Sequence, residues 1–191
     1  PLYQYFSRRN LQKRLKRRSR DWKAQVISVG NITVGGSGKT PIVIWLAQRL
    51  ISRGKKVAIV HSGYGRRSKK EMLIPSGQMS DFSISLTGDE VQMMGAIVPD
   101  AAFAIGRDKK QMVGLADRTF SPDVILIDDG FQRLDIVKDL DFLMFDGVAF
   151  QHMIKEGFWR MDGLFPGGVY RESLGSIGRP DAIFTLYMTD P

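Results

Sequence analysis

The chain has 191 residues, 43% of them hydrophobic and 25% charged, with no cysteine and a formal net charge of +8. That length supports one well-buried core, and the lack of cysteine excludes a disulfide framework and thiolate chemistry. No apolar run reaches the roughly 20 residues that span a bilayer as a helix, and the N-terminal stretch lacks the apolar core of a secretory signal.

The charge is local. Residues 1–20 hold eight basic side chains (Arg8, Arg9, Lys13, Arg14, Lys16, Arg17, Arg18, Arg20) and no acidic one. The whole chain has 28 basic and 20 acidic residues, so residues 21–191 carry 20 of each sign and are neutral. Leu2, Tyr3, Tyr5, Phe6, Leu11 and Leu15 are interleaved with those cations, and Trp22 follows. Leu11 and Leu15 share a face on a helix, so residues 1–22 read as a basic amphipathic leader. Such a helix suits an anionic membrane surface; RNA binding and a solvated tail are the two other readings that the residues leave open. For the body, nucleic acid ranks last among partners, because removing the leader removes all net positive charge.

An apolar run, Val26 to Val29, leads into a glycine-rich turn that ends in Lys39 and Thr40, and an amphipathic segment follows from Ile42 to Leu50. Strand, glycine loop and helix in that order make a phosphate-binding loop. Gly35, Gly36, Ser37 and Gly38 allow the backbone amides to turn toward one anion, and the helix start adds a favourable dipole. Lys39 would reach the β- and γ-phosphates of a nucleotide, and the Thr40 hydroxyl would hold Mg²⁺. The strict pattern has glycine where Thr33 stands, so the loop is a variant of the Gly-Gly-x-Gly-Lys-Thr type.

Further along, apolar β-branched runs recur at 57–60, 101–105, 123–127, 141–145 and 181–186, with helical patterns at 39–52, 88–97 and 107–117. This alternation predicts an α/β fold of the P-loop NTPase type, a mostly parallel sheet with helices on both faces. Residues 61–80 and 146–170 read as loops. In such a sheet, ligands bind beyond the carboxyl ends of the strands.

Four segments fall at that edge. His61-Ser-Gly63-Tyr64-Gly65-Arg66-Arg67 is a flexible basic loop suited to phosphate or sugar, or equally a solvated surface loop. Thr87-Gly-Asp89-Glu90 opens a helix, where Thr87 and Glu90 form a possible capping box and Asp89 is left to take a proton from a hydroxyl. Gly106-Arg107-Asp108 starts another helix beyond a strand and, like the loop at 61–67, suits phosphate or sugar or equally a solvated surface. Val124-Ile-Leu-Ile-Asp128-Asp129-Gly-Phe-Gln132 is an apolar strand ending in two carboxylates, suited either to the Mg²⁺ of a nucleotide or to capping a turn.

Together these segments resemble the tetraacyldisaccharide 4'-kinase (lipid A 4'-kinase) family. The matching stretches are Val29-Gly-Asn-Ile-Thr-Val-Gly-Gly-Ser-Gly-Lys-Thr-Pro41, Gly63-Tyr-Gly-Arg66, Gly88-Asp-Glu90, Gly106-Arg-Asp108 and Asp128-Asp-Gly-Phe-Gln132. A late region, Leu164-Phe-Pro-Gly-Gly with Arg171-Glu-Ser-Leu174 and Arg179-Pro-Asp-Ala182, is similar to further family segments. Ser62, Val91 and Arg133 stand where the family usually has Arg, Pro and His.

The resemblance implies an ATP- and Mg²⁺-dependent kinase of lipid A assembly. It would phosphorylate the 4'-hydroxyl of a tetraacylated glucosamine disaccharide 1-phosphate at the cytoplasmic face of the bacterial inner membrane. Carried over by position, Lys39 and Thr40 bind triphosphate and Mg²⁺, Asp89 is the candidate base, and Asp128 and Asp129 are the acidic pair. Tyr64, Arg66, Glu90, Arg107, Gln132 and Arg171 fall to the lipid disaccharide. The leader acquires a membrane role, with residues 23–191 as the kinase domain and the family's smaller C-terminal domain absent or truncated. Two rival functions are a P-loop ATPase or nucleotide switch without a lipid substrate, and a non-catalytic membrane-binding remnant.

Overall fold

The computed structural model describes residues 19–32, 38–147, 151, 155 and 178–186. Leader residues 1–18, the loop residues Gly35, Gly36 and Ser37, and Arg171 lie outside the described residues. In chain order the elements are β1 (Gln25–Asn31), α1 (Lys39–Ile51), β2 (Val57–His61), β3 (Met72–Ile74) and a 3₁₀ turn (Met79–Asp81). There follow α2 (Ile84–Thr87), α3 (Asp89–Ile97), β4 (Ala102–Ile105), α4 (Lys109–Phe120), β5 (Val124–Asp128), β6 (Leu140–Asp146) and β7 (Ala182–Leu186).

The strands form one seven-stranded sheet in the order β3-β4-β2-β5-β1-β6-β7. All neighbours run parallel except β3, which pairs antiparallel with β4. The apolar runs explain the centre: β2, β4 and β5 are buried along their whole lengths, as strands covered on both faces must be.

Alternate residues feed opposite cores. Ile27, Val29, Ile59, Phe103 and Leu126 pack with Val43 and Ala47 of α1 and with Val91 and Met94 of α3. Val26, Val60, Ala104, Ile125 and Ile127 pack with Met112, Val113 and Ala116 of α4 and with Trp22. Helices on both faces and a parallel sheet are thus as expected. The short β3 falls within a stretch expected to be loop, and its three residues are strand only through pairing with the β4 edge.

The base of the sheet is pinned to the residues that follow the leader. Arg20 Nη1 donates to Asp139 Oδ1 at 2.8 Å, and Asp139 Oδ2 accepts from the Val26 amide at 2.7 Å. Asp117 accepts from the amides of Lys23 and Ala24. All of these contacts lie at the start of β1, the end opposite the phosphate loop.

Candidate active site

Parallel strands deliver their last residues to one edge, and order decides which of them meet. With β2 between β4 and β5, and β5 beside β1, the ends of β1, β2 and β5 converge next to the start of α1. Gly38 precedes α1 in the left-handed region, φ 71°, and contributes no capping side chain. The first turn of α1 contains Lys39 and Thr40 and no acidic residue, so its dipole is left for an anion.

Asp128 ends β5 with only 3% of its surface exposed. Its Oδ2 lies 3.4 Å from His61 Nε2, and its buried Oδ1 has no hydrogen-bond partner among the described residues. His61, at the end of β2, also lies 3.1 Å from Glu90 Oε2. Thr40 Oγ1 donates to Glu90 Oε1. His61, Glu90 and Asp128 each offer a ligand atom, all within 4.8 Å of one another.

The electrostatics follow from that crowding. His61 and then Thr40 hold the Glu90 carboxyl well down, at about 2, with burial working the other way. Burial alone would lower the His61 pKa, but hydrogen bonds to Asp128 and Glu90 outweigh it and raise the value to about 9. The Gly63 amide donates to Nδ1 at 2.8 Å and opposes that rise, because a proton on Nδ1 would displace it.

Asp129 follows in the left-handed region, φ 53°, with Lys39 Nζ 3.7 Å from its Oδ1. Lys109, 6% exposed, donates from Nζ to the carbonyls of both Asp128 and Asp129 at 2.6 Å. Burial lowers the pKa of this ammonium, and the two aspartates pull it back up. Gln132 Nε2 donates to the Asn31 carbonyl, tying the Asp-Asp turn to the end of β1.

The other wall is more open. Asp89 opens α3, exposed, with Oδ1 accepting only from the Glu90 amide among the hydrogen bonds of the described residues. The capping box expected of Thr87 and Glu90 does not form. Gly88, φ 93° and ψ 152°, separates α2 from α3, so the Thr87 hydroxyl turns back to Ser83 O and Glu90 is released toward Thr40.

Tyr64 is 87% exposed. The loop that carries it packs on Gly88, where an added Cβ would stand 3.1 Å from the Tyr64 carbonyl. Arg66 Nη2 donates to Ile105 O, and burial and then Arg107 lower its pKa. Arg107 is exposed, whereas its neighbour Asp108 caps α4 through the Lys110 and Gln111 amides. Arg133 donates to Asp108 and Asp135.

The structure thus gathers Lys39, Thr40, Glu90, Asp128 and Asp129 into one cluster, with Asp89 and Tyr64 on its rim. His61 and Lys109 belong to the cluster too: the sequence assigns Lys109 no role and puts His61 in a flexible basic loop, whereas that residue ends the buried strand β2. The available signal was positional: each polar residue follows or ends an apolar element at the working edge.

A family model for LpxK, tetraacyldisaccharide-1-P 4'-kinase, matches residues 2–190. The tetraacyldisaccharide 4'-kinase of Geobacter metallireducens is 38% identical over 159 residues, 83% of this chain and 45% of that protein. Its counterpart in Chlorobium phaeovibrioides is 36% identical over 169 residues, 87% of this chain and 46% of that protein. The structure is similar to that of "apo" form LpxK from Aquifex aeolicus in complex with ATP, at a TM-score of 0.75 and 33% identity. The similarity covers 89% of this chain and 50% of that one. The chain therefore spans half or less of the length of these relatives. Motif order, sheet topology and a family match along nearly the whole chain agree, and the chain belongs to the tetraacyldisaccharide-1-P 4'-kinase family.

Proposed function

We propose that this chain carries the nucleotide-binding and phosphoryl-transfer site of an ATP-dependent kinase. Its acceptor is the 4'-hydroxyl of a tetraacylated glucosamine disaccharide 1-phosphate, a lipid A precursor. The observation that carries the reading is the convergence of Thr40, Glu90 and the buried Asp128 at the opening of α1. The unpartnered Asp128 Oδ1 and the oxygen-rich set around it suit a hard divalent cation. Thr40 and Asp128 would hold Mg²⁺, with Asp129 alongside; the ion would supply charge neutralisation on the β- and γ-phosphates.

The chain's own residues do the remainder. The α1 amides and Lys39 hold the triphosphate. Asp89 accepts the proton of the attacking hydroxyl as the acceptor oxygen bonds to the γ-phosphorus and the bond to the bridging β,γ-oxygen breaks. Tyr64, Arg66, Arg107 and Gln132, with Arg171, orient the disaccharide and its phosphate, while Glu90 stays with Thr40 at the cation site. Arginines suit that task because their planar forks bind phosphate bidentately.

The same reading puts the protein at the cytoplasmic face of the bacterial inner membrane. The eight cations of residues 1–20 support it, each worth about 1 kcal/mol near an anionic surface. No helix among the described residues is long and apolar enough to cross a membrane.

The test is transfer of labelled γ-phosphate from ATP to the disaccharide 1-phosphate by the full-length protein in mixed micelles. Transfer that needs both Mg²⁺ and the 4'-hydroxyl supports the proposal. ATP hydrolysis stimulated by a protein but not by lipid would overturn it in favour of a nucleotide switch.

A further inference from the structure

His61 closes β2, lies 4% exposed, and faces two carboxylates brought from other parts of the chain. Two chemical roles fit a histidine there. It could ligate a cation through Nε2, as the grouping with Glu90 and Asp128 suggests, or it could donate a proton from Nε2 to hold the two carboxylates in place.

The ring's other nitrogen separates the roles. A neutral imidazole that ligates through Nε2 must carry its proton on Nδ1. Here the Gly63 amide points its own N–H at Nδ1 from 2.8 Å. Ligation would set two donors against each other. With Nδ1 accepting, the neutral ring keeps its proton on Nε2, which points at Glu90 Oε2 (3.1 Å) and Asp128 Oδ2 (3.4 Å).

The backbone fixes this arrangement. Val60 pairs with Ile127 of β5, His61 pairs with Ile105 of β4, and the His61 carbonyl accepts from the Gly106 amide at 3.0 Å. The ring is therefore set by the sheet core rather than by a loop.

We infer that His61 is a positioning residue for the divalent-cation site, acting as an Nε2–H donor that spaces Glu90 and Asp128. It does not ligate the metal itself. This rests on the kinase reading above. Two buried or half-buried carboxylates repel each other, and one shared donor holds them in register. Glu90 in turn accepts from Thr40, so the ring also fixes where that hydroxyl sits. Removing such outer partners costs about 10- to 100-fold in metal affinity in comparable sites.

A pair of substitutions splits the two nitrogens. His61→Asn retains an acceptor near the Nδ1 position for Gly63 and is too short to reach the carboxylates. His61→Gln extends a donor toward the Nε2 position and gives up the Gly63 contact. ATP affinity of the full-length protein is measured by calorimetry across a Mg²⁺ titration and again in EDTA.

The expected result is a Mg²⁺ midpoint about tenfold higher in His61→Asn, with ATP affinity in EDTA within about twofold of wild type. His61→Gln should stay within about threefold in both. An unchanged midpoint in His61→Asn, an equal loss with and without Mg²⁺, or a His61→Gln as poor as His61→Asn would overturn the inference. A wild-type protein that binds no nucleotide in either condition would overturn the kinase reading instead.

Nitrogen-15 spectra of the wild-type ring give a second measurement that no folding defect can obscure. Nε2 should keep its proton when Mg²⁺ and ATP are added, whereas an Nε2 that loses its proton and shifts with the metal would make His61 a ligand.

Discussion

Asp128 and Asp89 are both carboxylates at one sheet edge, and their surroundings are opposite. Asp128 is almost fully buried at the end of a core strand, with His61 beside it and Lys109 gripping its carbonyl. Asp89 is exposed at a helix start, beside a loop whose Tyr64 is 87% exposed. One half of the site is set by the hydrophobic core before any ligand arrives, and the other faces solvent. For the proposed reaction the split is sensible. A triphosphate and its cation need fixed charges in a dry pocket, while a bulky acylated sugar needs an open approach.

Four substitutions would break or sharpen that contrast. The largest effect is expected from Asp128→Asn, which keeps the shape and removes the charge. Phosphoryl transfer should fall on the order of a thousandfold, with Mg²⁺-dependent ATP binding lost in calorimetry. Asp89→Asn should reduce kcat by about a hundredfold while leaving ATP affinity near wild type in the same assay. Equal damage to ATP binding from both substitutions would erase the distinction between the two walls.

Lys109→Met tests whether the buried wall is preorganised by its own hydrogen bonds. It leaves two carbonyls without their ammonium donor, so stability should fall by about 2 kcal/mol. A lower urea midpoint at unchanged slope would show it. The smallest effect belongs to Asp139→Asn, far from either wall. Burial would raise that carboxyl, but the Val26 amide and then Arg20 outweigh it and hold its pKa below the ordinary value. A depressed folded pKa stabilises above the unfolded value, and that stability is lost as pH falls through the folded one. The variant should therefore be less stable by about 1 kcal/mol at pH 7. In thermal melts the gap should begin to shrink as pH drops below about 4 and close only below the lowered folded value.

The parts of the site that could be read in the sequence are those whose meaning is local. Gly38-Lys39-Thr40 follows its strand and opens its helix within a dozen residues, and Asp128-Asp129 sits at the end of a visible apolar run. His61 and Lys109 resist such reading because their partners are distant: Glu90 is 29 residues from His61, and the carbonyls Lys109 grips are 19 and 20 residues away. His61 reaches Asp128 only because β2 lies next to β5, a neighbour choice that no short segment encodes. The capping box at Thr87 failed for a related reason. Its pattern was satisfied in the sequence, but the Gly88 backbone turns the chain so that Glu90 finds a better partner in Thr40. The strand β3, three residues long, exists through the edge it completes.

The ties among Arg20, Asp139 and Val26 have a mechanical consequence. They fasten the chain at the foot of β1, and the phosphate loop begins at its head. The seven-residue strand β1 runs between them, six steps that span about 20 Å at about 3.3 Å per residue. A pull exerted on residues 1–18 would therefore enter the domain at a fixed fulcrum on the far side of the sheet. The stiff strand would carry it as a rotation of the whole body, so the phosphate-loop edge would tilt toward a surface without its geometry being bent.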